Sequence, residues 1–421
     1  MRISSVIRIL FAATVTFAVL WMLSTTSFVD VEGHAGEAAA AAFESGEFNA
    51  NDLSLNHSQC LVHFPNLFSQ IEETASFCRK IGGIYAKTFD FLYSLNKDNK
   101  HQRGGFQIHI VLKNNKLFIK EYIHDHPNIN RAMLLLEHLD RIIQASPEPI
   151  SDAEFVIDIT DQGAGDVVGP VFSLARKHGN QRGWLIPDFG FNAWPEVGVL
   201  SYETLRNEIE DFERRVRSGK TKKVDKLFWR GAPMHFKERK ESLDLANEKW
   251  ADIKELKWSC MSTPNKEECK GLTDHKTIPE HCGYKYLLQT EGYSYSGRFK
   301  YLLNCNSIVV TGKLDWDQHF HHLLDAKDGS PDQNIVQNVT QQKIVRNNSW
   351  SLLRNRYLTP AANACYWRHL INQYAALMQF EPSLELRELE AGKKRLGAAG
   401  TGLAPPYESF ILMRKVDWEL N

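Results

Sequence analysis

A chain of 421 residues is too long for one ordinary hydrophobic core and points to roughly two domains of ~150 to 200 residues each. Its 50 basic and 51 acidic side chains leave a formal net charge of -1, which excludes a long-range pull toward nucleic acid or an anionic membrane surface. Any phosphate it binds has to be held by local groups.

Arg2 and Arg8 precede an apolar run that opens at Ile9, and Asp30 and Glu32 follow it. That charge order predicts a cytosolic tail over 1–8 and a signal-anchor transmembrane helix over 9–29, with the remainder on the luminal side. A cleaved signal peptide is the rival reading. Residues 30–56, rich in Ala, Gly and Glu, read as a stem with little to bury. The seven cysteines include no CxxC pair, and Asn56, Asn338 and Asn347 sit in N-x-Ser/Thr acceptors. Both features suit an oxidising compartment, so the expectation is a single-pass type II protein of the endoplasmic reticulum or Golgi membrane, with disulfides and one thiol left over.

Residues 57–219 read as a first α/β domain. Phe106 to Ile119 alternates on either side of Lys113-Asn114-Asn115-Lys116, a hairpin pattern with its turn at the asparagines. Asn130 to Ala145 has the spacing of an amphipathic helix, and Pro147 stops it. Glu154 to Asp161 predicts a buried strand carrying Asp158 and Asp161 on opposite faces, with Asp161 at the C-terminal end where open α/β sheets bind ligands. Gly183 to Val197 packs aromatics, Pro and Gly into a short span, either a core loop or a platform for a sugar or base. Tyr202 to Arg217 is a charged helix with one apolar face, and Ser218 to Lys223 a linker.

Residues 224–350 read as a second α/β domain, opening with a strand that ends at Arg230 and Gly231. The basic stretch His235, Lys237, Arg239 and Lys240 meets either phosphate or solvent. Tyr286 to Gly312 then gives strand, glycine loop, helix and strand in order, with Gly292 and Gly297 in the loop and Arg298 at the helix start. Free backbone N–H groups, a helix N-terminus and a forked guanidinium together suit a phosphate or diphosphate. Asp315-Trp316-Asp317 has the D-x-D spacing of Mn²⁺-diphosphate sites and His319, His321 and His322 follow, but an arginine and a helix end can neutralise a leaving group without metal. The expectation is no metal and no cofactor. Residues 351–421 read as a C-terminal helix, Ala361 to Phe380, and a tail.

With KLFWRG, HCGYKYLL, EGYSYSGRFKYLLNCNSIVV and NACYW in this order, the sequence resembles the capsule-associated glycosyltransferases of family 90, which include Rumi, the protein O-glucosyltransferases and fungal xylosyltransferases. The resemblance implies a GT-B-like α/β fold, two Rossmann-like domains facing a cleft, and inverting transfer from a UDP-sugar, glucose or xylose, to a glycan or protein acceptor. It implies Asp161 as catalytic base, Arg298 on the diphosphate, and Tyr293, Ser294, Tyr295, Ser296 and Gly297 as the donor loop. Trp194, Arg230, Gly231 and Arg239 fall at further donor-side positions. Cys282 and Cys305 match a family disulfide, and Cys365 is implied to reach an N-terminal cysteine such as Cys60. Residues 325–347 are shorter than in the family, so the alternative is a catalytically inactive, lectin-like luminal protein of the same fold. A glycoside hydrolase would need two facing carboxylates, and Asp158 and Asp161 stand too close along one strand for that.

Overall fold

The computed structural model describes residues 49–98, 106–123, 128–163, 165, 167–260, 266–337, 342–388, 397, 400–414 and 416. The expected tail, anchor, most of the stem and the Asn338 acceptor lie outside the described residues. Among the described residues no helix is long and apolar enough to cross a membrane. Two compact units are distinguished, Met1–Asn49 with Ser58–Pro65 and Ala50–His57 with Asn66–Asn421. In the first, residues 58–63 are helical. The rest of the description concerns the second.

Helices α1 (Ser69–Lys80) and α2 (Lys87–Asp98) precede the hairpin β1 (Ile108–Lys113) and β2 (Lys116–Tyr122). The asparagine turn is as expected: Asn114 and Asn115 have φ of 51° and 58°, the left-handed pair that a two-residue hairpin loop demands. Helix α3 (Ile129–Gln144) buries Leu135, Leu136, Leu139, Ile142 and Ile143, and β3 (Ala153–Asp158) is buried along its whole length. Strands β4 (Val171–Ser173), β5 (Arg176–Lys177) and β6 (Trp184–Leu185) follow. The first sheet has the order β2-β1-β3-β4-β6, antiparallel at β2-β1-β3 and parallel from β3 to β6.

After α4 (Tyr202–Arg217) the chain builds β7 (Val224–Gly231), α5 (Lys237–Leu243), β8 (Ala251–Glu255), α6 (Ile278–His281), β9 (Tyr284–Gln289), α7 (Phe299–Leu302) and β10 (Ile308–Thr311). This second sheet is parallel throughout, in the order β10-β9-β7-β8. The chain leaves β7 toward β8 and returns on the other side as β9. The order therefore reverses between β7 and β9, and the loops after those two strands open the crevice where such sheets bind ligands. Strand β11 (Trp316–Asp317) pairs with β5. At the edge of the second sheet Val336 bridges Val310 in parallel, and Ile308, Val336 and Val345, on α8 (Gln342–Asn348), form one apolar cluster. Helix α9 (Pro360–Ala375) returns to the first sheet, where Tyr366 and Tyr374 donate to the carbonyls of Leu185 and Glu154, and α10 (Tyr407–Met413) packs on β2.

Three expectations need correction. The strand ends at Asp158 and the chain turns at once, because the Asp158 carboxylate accepts from the Thr160 N–H at 2.7 Å; Asp161 therefore lies in the turn and not on the sheet. Helix α7 is one turn long, from Phe299 to Leu302, so its dipole adds little to anion binding. Helix α9 ends at Ala375, short of Phe380. Among the cysteines, Cys282 bonds Cys305 as the resemblance implies, Cys260 bonds Cys269 without any sequence signal, Cys60 and Cys365 are each disulfide-bonded, and Cys78 is a buried free thiol.

Candidate active site

A cavity of about 560 Å³ opens at the C-terminal ends of β7, β8 and β9 and is closed by residues that follow β3 and β6. Asp161, Trp194, Arg230, Gly231, Arg239, Tyr293, Tyr295, Ser296, Gly297 and Arg298 all line it. Ser294 is the exception. It is fully buried, and its hydroxyl donates to the Asp161 carbonyl, so it ties the loop after β9 to the turn after β3. Gln162 makes a second tie, its amide donating to the Tyr293 carbonyl at 3.1 Å.

Gly297 is required by close approach and not by backbone angle: a Cβ there would lie 2.8 Å from the Trp194 ring. One at Gly292 would lie 2.8 Å from the Arg239 guanidinium and displace it. Among the described residues the backbone N–H groups from Tyr293 to Arg298 have no protein partner. Donors of this kind are costly inside a protein unless a ligand or water accepts from them.

The arginines divide by what their donors do. Arg230 is 1% exposed and spends all five N–H bonds on protein: the carbonyls of Trp229, Asp252 and Asp274, and the carboxylates of Asp252 and Asp274 at 2.8 Å each. It is a strut that holds the end of β7. Arg239 donates to the carbonyls of Glu291 and Ala232. Arg298 donates only to the Arg230 carbonyl among the described residues, and its Nε is buried with no partner. Burial and the nearby Arg239 push the Arg298 pKa down to about 9, and burial with Arg298 holds His281, also in the lining, well below the usual histidine range. The cavity wall thus carries positive charge that the protein leaves unmatched.

Asp161 faces this wall. Its Oδ1 accepts from Arg131 at 2.6 Å, which fixes the carboxylate and leaves Oδ2 without a protein partner among the described residues. Asp158 is the contrast: fully buried, outside the cavity lining, and raised to about 7 by desolvation. The Asp315 and Asp317 carboxylates are engaged separately, with Lys313 at 2.8 Å and His178 at 2.9 Å, and no cluster suited to a metal ion occurs among the described residues.

Sequence reasoning missed three parts of the site. Arg131, at the start of α3, is thirty residues from the aspartate it pairs with, and nothing in the sequence links them. The other two, Asp188 and Lys300, form an ion pair at 2.8 Å with no exposure on either side; Lys300 also donates to the Gly297 carbonyl, and Asp188 accepts from the Gly190 N–H. A carboxylate inside the aromatic run IPDFGF was the available signal.

Residues 65–331 match glycosyl transferase family 90. The chain is 24% identical over 255 residues to "O-glucosyltransferase rumi" of Drosophila melanogaster, covering 54% of this chain and 59% of that protein. It is 30% identical over 116 residues to "Protein O-glucosyltransferase 1" of Homo sapiens, covering 24% and 29% respectively. The chain thus spans less than two thirds of the length of these curated relatives.

Proposed function

The chain belongs to glycosyl transferase family 90, and on that premise we propose that it moves a sugar, glucose or xylose, from a UDP-sugar to a hydroxyl of a protein or glycan. The two sheets act as the facing lobes of a GT-B enzyme, residues 57–219 on the acceptor side and 224–350 on the donor side. The observation that carries this reading is the unmatched positive wall, Arg298 with the free N–H groups of its loop, set opposite a carboxylate with one open oxygen. The cavity volume of about 560 Å³ falls within the range typical of small-molecule sites.

The reaction is one displacement. The acceptor oxygen attacks the anomeric carbon, its proton passes to Asp161, and the bond from that carbon to the β-phosphate oxygen breaks, its electron pair leaving with UDP on the opposite face. A hydroxyl is a poor nucleophile, so the carboxylate must stand within ~3 Å and take the proton as attack proceeds. Negative charge grows on the leaving diphosphate, and donors already in place stabilise it without reorganising. Arg298 and the Ser296 and Gly297 N–H groups supply those donors, with Arg239 behind them. Arg230 acts indirectly by presenting its carbonyl to Arg298. Because arginine provides the counter-charge, this reading needs no metal and no cofactor, and transfer should survive chelation by EDTA.

The same reading places the chain in the lumen of the endoplasmic reticulum or Golgi, held by residues 9–29, with no nucleic-acid partner. The test is UDP release from a panel of UDP-sugars by the purified chain, with product mass spectrometry on protein and glycan acceptors. UDP binding without turnover of any donor would favour the lectin-like alternative, whose support is the short 325–347 segment.

A further inference from the structure

The loop after β9 turns its carbonyls toward protein. The Tyr293 carbonyl accepts from the Gln162 amide, Ser294 from the Gly292 N–H, Ser296 from the Phe299 N–H, and Gly297 from the Lys300 ammonium at 2.6 Å. In a trans peptide the C=O and the N–H of the next residue point in opposite directions. Each engaged carbonyl therefore turns the following N–H away from the protein group that holds it. Accordingly the Ser294, Tyr295, Gly297 and Arg298 N–H groups find no protein acceptor among the described residues.

Of these carbonyls only that of Gly297 is held by a charged group, and the group is itself fixed from outside the loop. Lys300 and Asp188 are fully buried, and neither side chain lines the cavity. The ammonium meets the two Asp188 oxygens at 2.8 and 2.9 Å, which with the Gly297 carbonyl uses its three hydrogens. Asp188 also accepts from the Gly190 N–H at 2.8 Å and the Gln318 amide at 3.0 Å. The same short run presents the Gly190 carbonyl to the Tyr301 hydroxyl at 2.8 Å and the Trp194 ring to Gly297. Residues 188–194 are thus a template against which the loop is set. A buried ion pair is weak evidence for stability, since an apolar pair of similar volume often does as well, so this one calls for a geometric role.

We propose that Asp188 and Lys300 are positioning residues for sugar transfer: the pair draws the Gly297 carbonyl inward and so aims the Arg298 N–H, beside its guanidinium, at the donor diphosphate. The inference rests on the donor reading of the cavity. The pair acts through Gly297 and touches no part of the donor.

The test compares UDP with uridine, which lacks the diphosphate, on the purified chain and on Asp188→Asn/Lys300→Met, which leaves no buried charge unpaired. Calorimetry for UDP and an NMR titration for uridine give the two Kd values. In the double variant the UDP Kd should rise about 10-fold, the worth of one charge-assisted hydrogen bond, while the uridine Kd stays within about twofold of wild type. A UDP Kd within about twofold of wild type overturns the inference, and equal weakening of both ligands overturns it in favour of a merely structural pair. A second measurement needs only the wild-type fold. In the chain labelled with ¹⁵N-arginine, the Arg298 amide signal, identified by its absence from Arg298→Met, should move downfield with UDP and stay in place with uridine. No movement with UDP overturns the inference even where the double variant fails to fold. Failure of the wild-type chain to bind UDP overturns the donor reading, and this inference with it.

Discussion

Replacing Arg298 by Met removes the charge and fork while keeping most of the volume, and the structure fixes the sign of two separate effects. In the free protein Arg298 is a cation disfavoured by burial and by Arg239, with one hydrogen bond to the Arg230 carbonyl. Its removal should therefore leave the thermal midpoint no lower than that of the wild type. Binding should respond in the opposite direction. The Nε and Nη2 edge is free to meet a diphosphate at two points, and charge-assisted hydrogen bonds contribute about 1.5–3 kcal/mol each. Taking one to two such bonds at the lower figure gives about 1.5–3 kcal/mol, or roughly 10- to 150-fold in Kd. Isothermal titration with UDP at neutral pH, beside a thermal melt of the unliganded protein, measures both. UDP affinity within about threefold of wild type at an unchanged midpoint would show that the guanidinium does not touch the diphosphate. A fall in the midpoint with affinity retained would make Arg298 a structural residue.

Three further outcomes follow from the same geometry. Asp161→Asn should lower transfer by about 10²- to 10⁴-fold, the usual range for a general base, and leave UDP affinity nearly unchanged; turnover at the wild-type rate would remove Asp161 from that role. Lys300→Met leaves the buried Asp188 charge unpaired and should cost about 3–5 kcal/mol in urea denaturation, with Asp188→Asn/Lys300→Met recovering part of it, whereas a single-variant cost below about 1 kcal/mol would contradict the pairing. Asp158 has a carboxyl raised to about 7 by burial, so the native state holds its proton more tightly than the unfolded chain, and stability falls as pH rises from about 4 to about 7. Asp158→Asn removes that term and keeps an oxygen to accept from the Thr160 N–H, so its midpoint should gain on the wild type between pH 5 and pH 8, and a constant difference would refute the assignment.

What was legible in the sequence was local. The Asn114-Asn115 turn, the apolar stripe of α3 and the strand-loop-strand order from Tyr286 onward are written in short-range spacing, and the structure reproduces them. The end of β3 was not, because alternation continues in the letters through Thr160 while a side-chain hydrogen bond from Asp158 turns the backbone. The pairings of Arg131 with Asp161 and Asp188 with Lys300 span 30 and 112 residues, and only the packed fold brings them together. Arg230 shows the opposite failing: its position at the cavity was foreseen, but residue type alone could not reveal that Asp252 and Asp274 occupy its fork. The Cys260–Cys269 loop carries no spacing signal beyond two available thiols.

The most direct measurement is a crystal structure of the chain soaked with UDP. The diphosphate should lie within hydrogen-bond distance, about 3 Å, of Arg298 Nε or Nη2 and of the Gly297 N–H, with Asp161 across the cavity. A diphosphate bound elsewhere on the chain, or in this cavity with Arg298 still turned only to the Arg230 carbonyl, would contradict the account.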